Sequence, residues 1–388
     1  MTPGRLRRLI GAALVDSFGL SLGWTVFSLQ VVRTHGLAGL GLCNAAMLVG
    51  VALSAPAAAR LSGRLDGRTL LRVTAVTEAV LRVGTFLLLL AGAPLAPVAL
   101  AVAVSNIVAW TGYAGMRAEV AAADPRGAAM TWYMVAVAAI EAAGIATAAL
   151  LPTGPDGMAG GGLLVGILAF YGTCLLPTWL VAGGARVVRT PRDRAAALPR
   201  PTGLMASGGL VMLLGSGPTL LAVGLAAELH GTRWVAGSAL AFALGSLLAP
   251  VSVARLERRA LPPSITWPAL GVGMVAGWGV AAWHPAGLVV AQLLSGMCMS
   301  ALEGDMDARV AAKGSPRGVT AGLASAAALR AFGSAAAVGL APRVISEAGV
   351  GALSVALATA LMASTVVTLA WHRSQSGLPG PDPAAHPG

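Results

Sequence analysis

The stretch APAAARLSGRLDGR (55–68) and its echo LLAPVSVARLERR (247–259) decide how this chain folds. Each ends an apolar run in a knot of arginines, in a sequence where only 11% of residues are charged. Such a boundary marks a helix leaving a lipid bilayer, because charge is excluded from hydrocarbon and basic residues collect where a span ends on the cytoplasmic side. Hydrophobic residues make up 56% of the 388 positions and the mean hydropathy is +0.79. A soluble protein is under half apolar and roughly 25% charged.

A hydrocarbon core about 30 Å thick needs roughly 20 apolar residues per helix. Twelve such runs are marked at 9–32, 38–59, 70–91, 96–116, 128–151, 161–183, 204–226, 235–253, 266–283, 286–302, 319–341 and 350–371. Between the ninth and tenth only WHPAG (283–287) intervenes, so Pro285 and Gly287 must carry that turn. With the N-terminus inside, the even-numbered connections and the two tails hold 21 basic residues and the opposite face holds three. This asymmetry predicts both termini on the cytoplasmic side. The net charge of +11 therefore reports topology, and a nucleic-acid partner, which needs one basic patch on a soluble surface, is not expected. RLRRLIGAALV (5–15) imitates a signal peptide, yet Asp16 interrupts it and no small-residue cleavage site follows, so it reads as the first membrane helix. Cys43, Cys174 and Cys298 are odd in number and fall inside expected spans, against a disulfide framework or a cysteine metal site.

The two quoted stretches belong to a longer repetition. His35-Gly36 matches His230-Gly231, Ala55-Pro56 matches Ala249-Pro250, and Arg60-Leu61 matches Arg255-Leu256, at offsets of about half the chain. Two six-helix halves are expected, 1–183 and 204–371, with a basic cytoplasmic linker at 184–203 and a Pro/Gly-rich, disordered cytoplasmic tail at 372–388. Parallel halves with a substrate site between them near the midplane are a transporter architecture.

On these residues the chain resembles the major facilitator superfamily, whose members often carry G-x-L-A-D-R-x-G-R-R between the second and third helices. ARLSGRLDGR (59–68) keeps Leu61, Arg64 and Arg68, with Ser62 at the small position. The family's acidic position falls on Gly63, and Asp66 stands three residues later. ARLERR (254–259) is a weaker copy. YAGMRAEVAAADPRGAA (113–129) and LEGDMDARVAAKGSPRGVTAGLASAAALRAFGSAAAVG (302–339) resemble the fourth-to-fifth and tenth-to-eleventh helix regions of bacterial exporters in that family. The G-P-x-x-G-G ending of the drug/proton antiporter fifth helix has no counterpart in 138–151. The resemblance implies an all-α fold of twelve transmembrane helices and a cytoplasmic gate formed by Arg60, Arg64, Asp66, Arg68, Arg255 and Arg258. The same arginines also read as plain topology anchors.

A charge near the bilayer centre costs roughly 3 kcal/mol or more, so each deep ionisable residue marks a site. Asp16 and Glu141 are the expected proton-coupling or substrate-path carboxylates, and Arg330 the cation that binds an anionic substrate group or pairs with Asp16 or Glu141 in one conformational state. A fixed salt bridge is the plainer role for Glu141 and Arg330, and pairing with an arginine that for Asp16. Glu78 and Arg82, at i and i+4, form a structural pair. Asn106, Trp110 and Tyr113 share one helical face and, with Asn44 and Gln292, are expected cavity walls; helix packing is the alternative. Glu303, Asp305 and Asp307 read as partners for the arginine-rich loops, and no metal site or cofactor is expected.

No GxxxxGK[ST], GxSxG or HExxH occurs in the sequence, which weighs against an enzyme. The expected function is a secondary active transporter of the bacterial cytoplasmic (inner) membrane. It would export a hydrophobic or amphipathic small molecule by alternating access coupled to protons. As partners we expect the lipid bilayer, a small-molecule substrate and protons, with the protein a monomer. A polytopic membrane enzyme or a non-transporting receptor or scaffold is the alternative reading.

Overall fold

Away from water a backbone can satisfy its own N–H and C=O groups within a helix, and every described element is helical. The computed structural model describes residues 3–123, 128–152, 160–185, 187, 202–258, 261–313 and 319–376. Most of the linker expected at 184–203, and the tail beyond 376, lie outside these residues.

The first part of the chain contains α1 (Pro3–Ser62), α2 (Gly67–Leu90), α3 (Leu95–Ala123), α4 (Ala128–Leu150), α5 (Gly161–Thr173) and α6 (Leu176–Val181). The second part contains α7 (Gly203–Gly215), α8 (Gly217–Leu220), α9 (Ala222–His230), α10 (Arg233–Arg258), α11 (Pro263–Ala276), α12 (Trp278–Ala281), α13 (Pro285–Lys313) and α14 (Val319–Ser376). Among the described residues nine helical stretches are long and apolar enough to cross a membrane, so this is a multi-pass membrane protein.

Two of those stretches, α1 and α14, are each a pair of arms joined at a glycine, Gly36 (φ 66°, ψ −174°) and Gly349 (φ 83°, ψ 160°). Both conformations exclude ordinary side chains. A Cβ at either glycine would meet nothing within 4 Å, so the backbone angle and not crowding requires glycine there. The sequence echo has a structural counterpart: Gly231 (φ 92°) ends α9 as Gly36 ends the first arm of α1, and Pro56 and Pro250 both lie within helices. The seventh expected span is not continuous. Ser216 and Leu221 separate α7, α8 and α9, with Pro218 in the first turn of α8, where its missing N–H is tolerated. At WHPAG the chain leaves the helix after α12 and resumes at Pro285.

The buried apolar residues fall into clusters whose distribution matters for function. One draws on both parts of the chain, joining Phe27, Val31 and Leu40 to Leu221, Val235 and Val338. It lies where the arms of α1 meet at Gly36 and α9 meets α10 at Gly231. The two parts touch closely there: a Cβ on Gly41 would lie 2.6 Å from Pro342, and one on Gly224 would lie 2.8 Å from Leu37 and Leu40. Toward the face where α1 begins, the core divides. Leu9, Leu71, Met116 and Val137 form a cluster from the first part alone, and Met205, Trp267, Leu302 and Ala326 one from the second part alone.

Candidate functional site

Helix α1 enters at Pro3, so at about 1.5 Å per residue Asp16 lies roughly 20 Å along it, and Arg82 lies about as far along α2. The two meet. Arg82 Nη2 donates to Asp16 Oδ1 at 2.8 Å and also to Glu78 Oε1 one turn away on its own helix. Its Nη1 donates to Cys174 Sγ at 3.3 Å, and the guanidinium stands 5.4 Å from the centre of the Tyr171 ring. Two glycines of α1 make this approach possible. A Cβ on Gly19 would lie 2.5 Å from Cys174 Sγ, and one on Gly23 would lie 2.3 Å from the Tyr171 ring. The expected Glu78–Arg82 pair is thus a three-member cluster, and Asp16 takes the arginine partner that was one of its two readings.

A cavity of about 20 Å³ adjoins this cluster, lined by Asp16, Ser17, Thr74, Glu78, Tyr113 and Tyr133 among others. It has room for a water or one small polar group. Tyr133 Oη and Thr178 Oγ1, on its wall, are buried without a hydrogen-bond partner among the described residues. Glu141, on α4, is half-buried, forms no ion pair among the described residues, and lies within electrostatic range of Asp16 and Tyr113.

In this state Arg330 takes the inter-helix salt bridge that was the plainer of its readings. Arg330 Nη1 donates to Asp307 Oδ1 at 2.7 Å and its Nε approaches Glu303 Oε1 at 3.9 Å, both on α13. Among the described residues, Glu303 and Asp307 thus face Arg330. Asp305 accepts from Arg309 Nε at 2.8 Å and from Trp267 Nε1 at 2.6 Å. The donors come both from neighbouring helices, Arg330 and Trp267, and from Arg309 on α13 itself.

Asn44 Nδ2 donates to Leu220 O at 2.8 Å, where the break after α8 frees a carbonyl, and so ties the first part of the chain to the second. Asn106 donates to Val102 O at 3.0 Å on its own helix. Trp110 packs edge-on against Tyr113 with centroids 5.3 Å apart, and of these three only Tyr113 lines the cavity. Gln292 is buried in α13 with Nε2 unpartnered among the described residues.

On the terminal face, Arg60, Arg64, Arg68, Arg255 and Arg258 are exposed and make no ion pair among the described residues. Asp66 caps α2, accepting from Thr69 N at 2.8 Å. Hydrogen bonds from the Thr69 side chain and then its backbone hold the Asp66 carboxyl below its usual range. A different acid does the tying here. Glu119, fully buried at the end of α3, accepts from Arg5 Nη2 and from Val187 N at 2.8 Å, while Gly67 N donates to Val187 O at 3.0 Å. Sequence reasoning missed it, though a lone acid one turn from the end of an apolar helix beside the basic start of α1 was a visible signal. Among the described residues no group of three or more His, Cys, Asp or Glu is placed to hold a metal ion.

No protein-family model matches the sequence, and no curated protein matches it significantly. Solved structures do match in shape. The nucleoside transporter NupG superposes with a TM-score of 0.71 at 10% identity, over 94% of this chain and 98% of that one. The inward-open xylose transporter XylE from E. coli gives 0.67 at 13% identity, over 93% and 94%. The human organic anion transporter MFSD10 gives 0.58 at 16% identity, over 94% and 99%. These likenesses show the fold of major facilitator transporters.

Proposed function

We propose that this chain is a secondary transporter that moves a hydrophobic or amphipathic small molecule outward by alternating access, with protonation of Asp16 or Glu141 as the coupling step. In this reading the arms of α1 and α14 count separately and the broken α7–α9 stretch counts as one span. That makes twelve crossings in two six-helix halves, 1–183 and 204–371. The membrane is the bacterial cytoplasmic (inner) membrane, with both termini cytoplasmic as the arginine asymmetry requires.

The observation that carries the reading is the divided core. Apolar residues of both parts join on one face, whereas on the terminal face each part keeps its own cluster. A barrier on one side and a parting on the other is one end state of a rocking cycle around a central site. The Asp16–Arg82–Glu78 cluster supports coupling: one guanidinium faces two carboxylates, so gain or loss of one proton changes its net charge.

The test is energised efflux of fluorescent lipophilic compounds from pump-deficient bacterial cells, comparing wild type with Asp16→Asn at matched membrane expression. We expect wild type to clear a compound, the variant to fail, and collapse of the proton gradient to abolish the difference. Equal clearance by both proteins would remove Asp16 from the coupling step, and no clearance by either would remove efflux of this class.

A further inference from the structure

Two arginines lie deep among the described helices, and both are recessed behind acids. Arg82 and Arg330 side chains are 2% and 9% exposed, whereas Asp16 is 27%, Glu303 42% and Asp307 44% exposed. An ionised carboxylate at this depth is disfavoured against hydrocarbon, so the open faces of these acids look into a water-accessible crevice and not into lipid. With Glu78 and Glu141 there are five carboxylates against these two guanidiniums. At this depth carboxylates outnumber guanidiniums, and each of the two arginines is already bonded to an acid.

The cavity beside Asp16 adds shape to that sign. Its volume of about 20 Å³ admits one small polar group and nothing larger. Asp16 and Glu78 offer carboxylate oxygens there, Thr178 a buried hydroxyl without a partner among the described residues, and Tyr133 a buried phenol oxygen beside that of Tyr113. Oxygen acceptors on several sides of so small a space fit a group that donates several N–H bonds. Tyr113 and Tyr133 on the cavity wall lie 6.1 Å apart, Trp110 packs edge-to-face on Tyr113, and the Arg117 guanidinium already stands 5.7 Å from the Tyr113 ring, as a cation does over an aromatic face. Rings beside carboxylates favour a cation with an apolar body.

We propose that the path carries organic cations with a small N–H-bearing head, such as aryl-alkyl ammonium ions. The head enters the cavity lined by Asp16, Glu78, Tyr133 and Thr178, and the apolar body lies against Trp110 and Tyr113. This deepens the transport reading by naming the substrate class, and it rests on that reading.

The experiment is calorimetric binding to the full chain in nanodiscs of zwitterionic lipid, with empty nanodiscs as blank. The probes share one phenylbutyl body: 4-phenylbutylamine as the cation, 4-phenylbutanol as the neutral form and 4-phenylbutyrate as the anion. The amine should bind at least ten-fold more tightly than the alcohol, and the anion should not bind measurably. Asp16→Asn should erase most of the amine's advantage while leaving the alcohol unchanged. Tyr133→Phe, which keeps the ring, should weaken the amine a few-fold and serves should the first variant not fold. Equal or tighter binding of the alcohol or the anion would overturn the proposal, as would no binding of any probe or an amine advantage that both variants retain. Binding needs no transport, so an amine that binds but is not moved in a proteoliposome flux assay would count against the transport reading alone.

Discussion

Arg82 shows what a single residue reveals and conceals. Its pairing with Glu78 was legible, because acids and bases four apart on a helix face each other whatever the tertiary structure. Its bond to Asp16 was not, because 66 positions separate them and only tertiary packing of α1 against α2 brings them together. Arg330 is the same case in reverse. Depth and isolation along its own helix made it look unpaired, while its partners stand on α13. The bridging role of Arg82 makes a graded prediction. Arg82→Gln strips the partner from two carboxylates at once, and breaking a buried pair from one side costs about 3–5 kcal/mol. Glu78→Gln leaves Arg82 bonded to Asp16 and should cost less. Unfolding midpoints in detergent should therefore fall further for Arg82→Gln; equal losses would mean that the Asp16 bond adds nothing to the cluster.

At the scale of helices, the glycines divide into two kinds that the sequence alone does not distinguish. Gly36, Gly231 and Gly349 sit in turns at positive φ with open space around them, and two of these belong to the His-Gly echo that was visible at the start. Gly245 and Gly296 instead lie where α10 crosses α13. A Cβ on the first would stand 2.0 Å from Leu293 O and on the second 2.1 Å from Phe242 O, so the two backbones approach through paired glycines. No periodicity marks these positions in an Ala- and Gly-rich chain, since the crowding comes from the partner helix. Gly296→Ala should force the helices apart and destabilise by about 1–3 kcal/mol, the usual cost of overpacking. Gly84→Ala, on α2 with nothing within 4 Å of its Cβ, should be neutral or raise stability by up to about 1 kcal/mol through helix propensity. Thermal midpoints of the two variants in one detergent decide the matter, and a fall of similar size in both would refute the crowded crossing.

The whole molecule is characterised by where its two parts touch. That the chain is all-helical and crosses a membrane several times could be read from composition and charge, because lipid imposes both on every span. The state of the molecule could not, because a seal depends on which faces of distant helices meet. Here Asn44 bonds to Leu220 O across the parts, and a Cβ on Gly339 would lie 3.8 Å from that of Ala45. That separation matches the Cβ···Cβ distance of a disulfide, about 3.8 Å. Ala45→Cys with Gly339→Cys, in a background where Cys43, Cys174 and Cys298 are replaced by alanine, should therefore crosslink on mild oxidation. If the seal must open once per cycle, flux measured in proteoliposomes stops when the bond forms and returns on reduction, while each single variant stays active. Undiminished flux with the crosslink complete would show that these two surfaces never part, and alternating access through this seal would be lost with it.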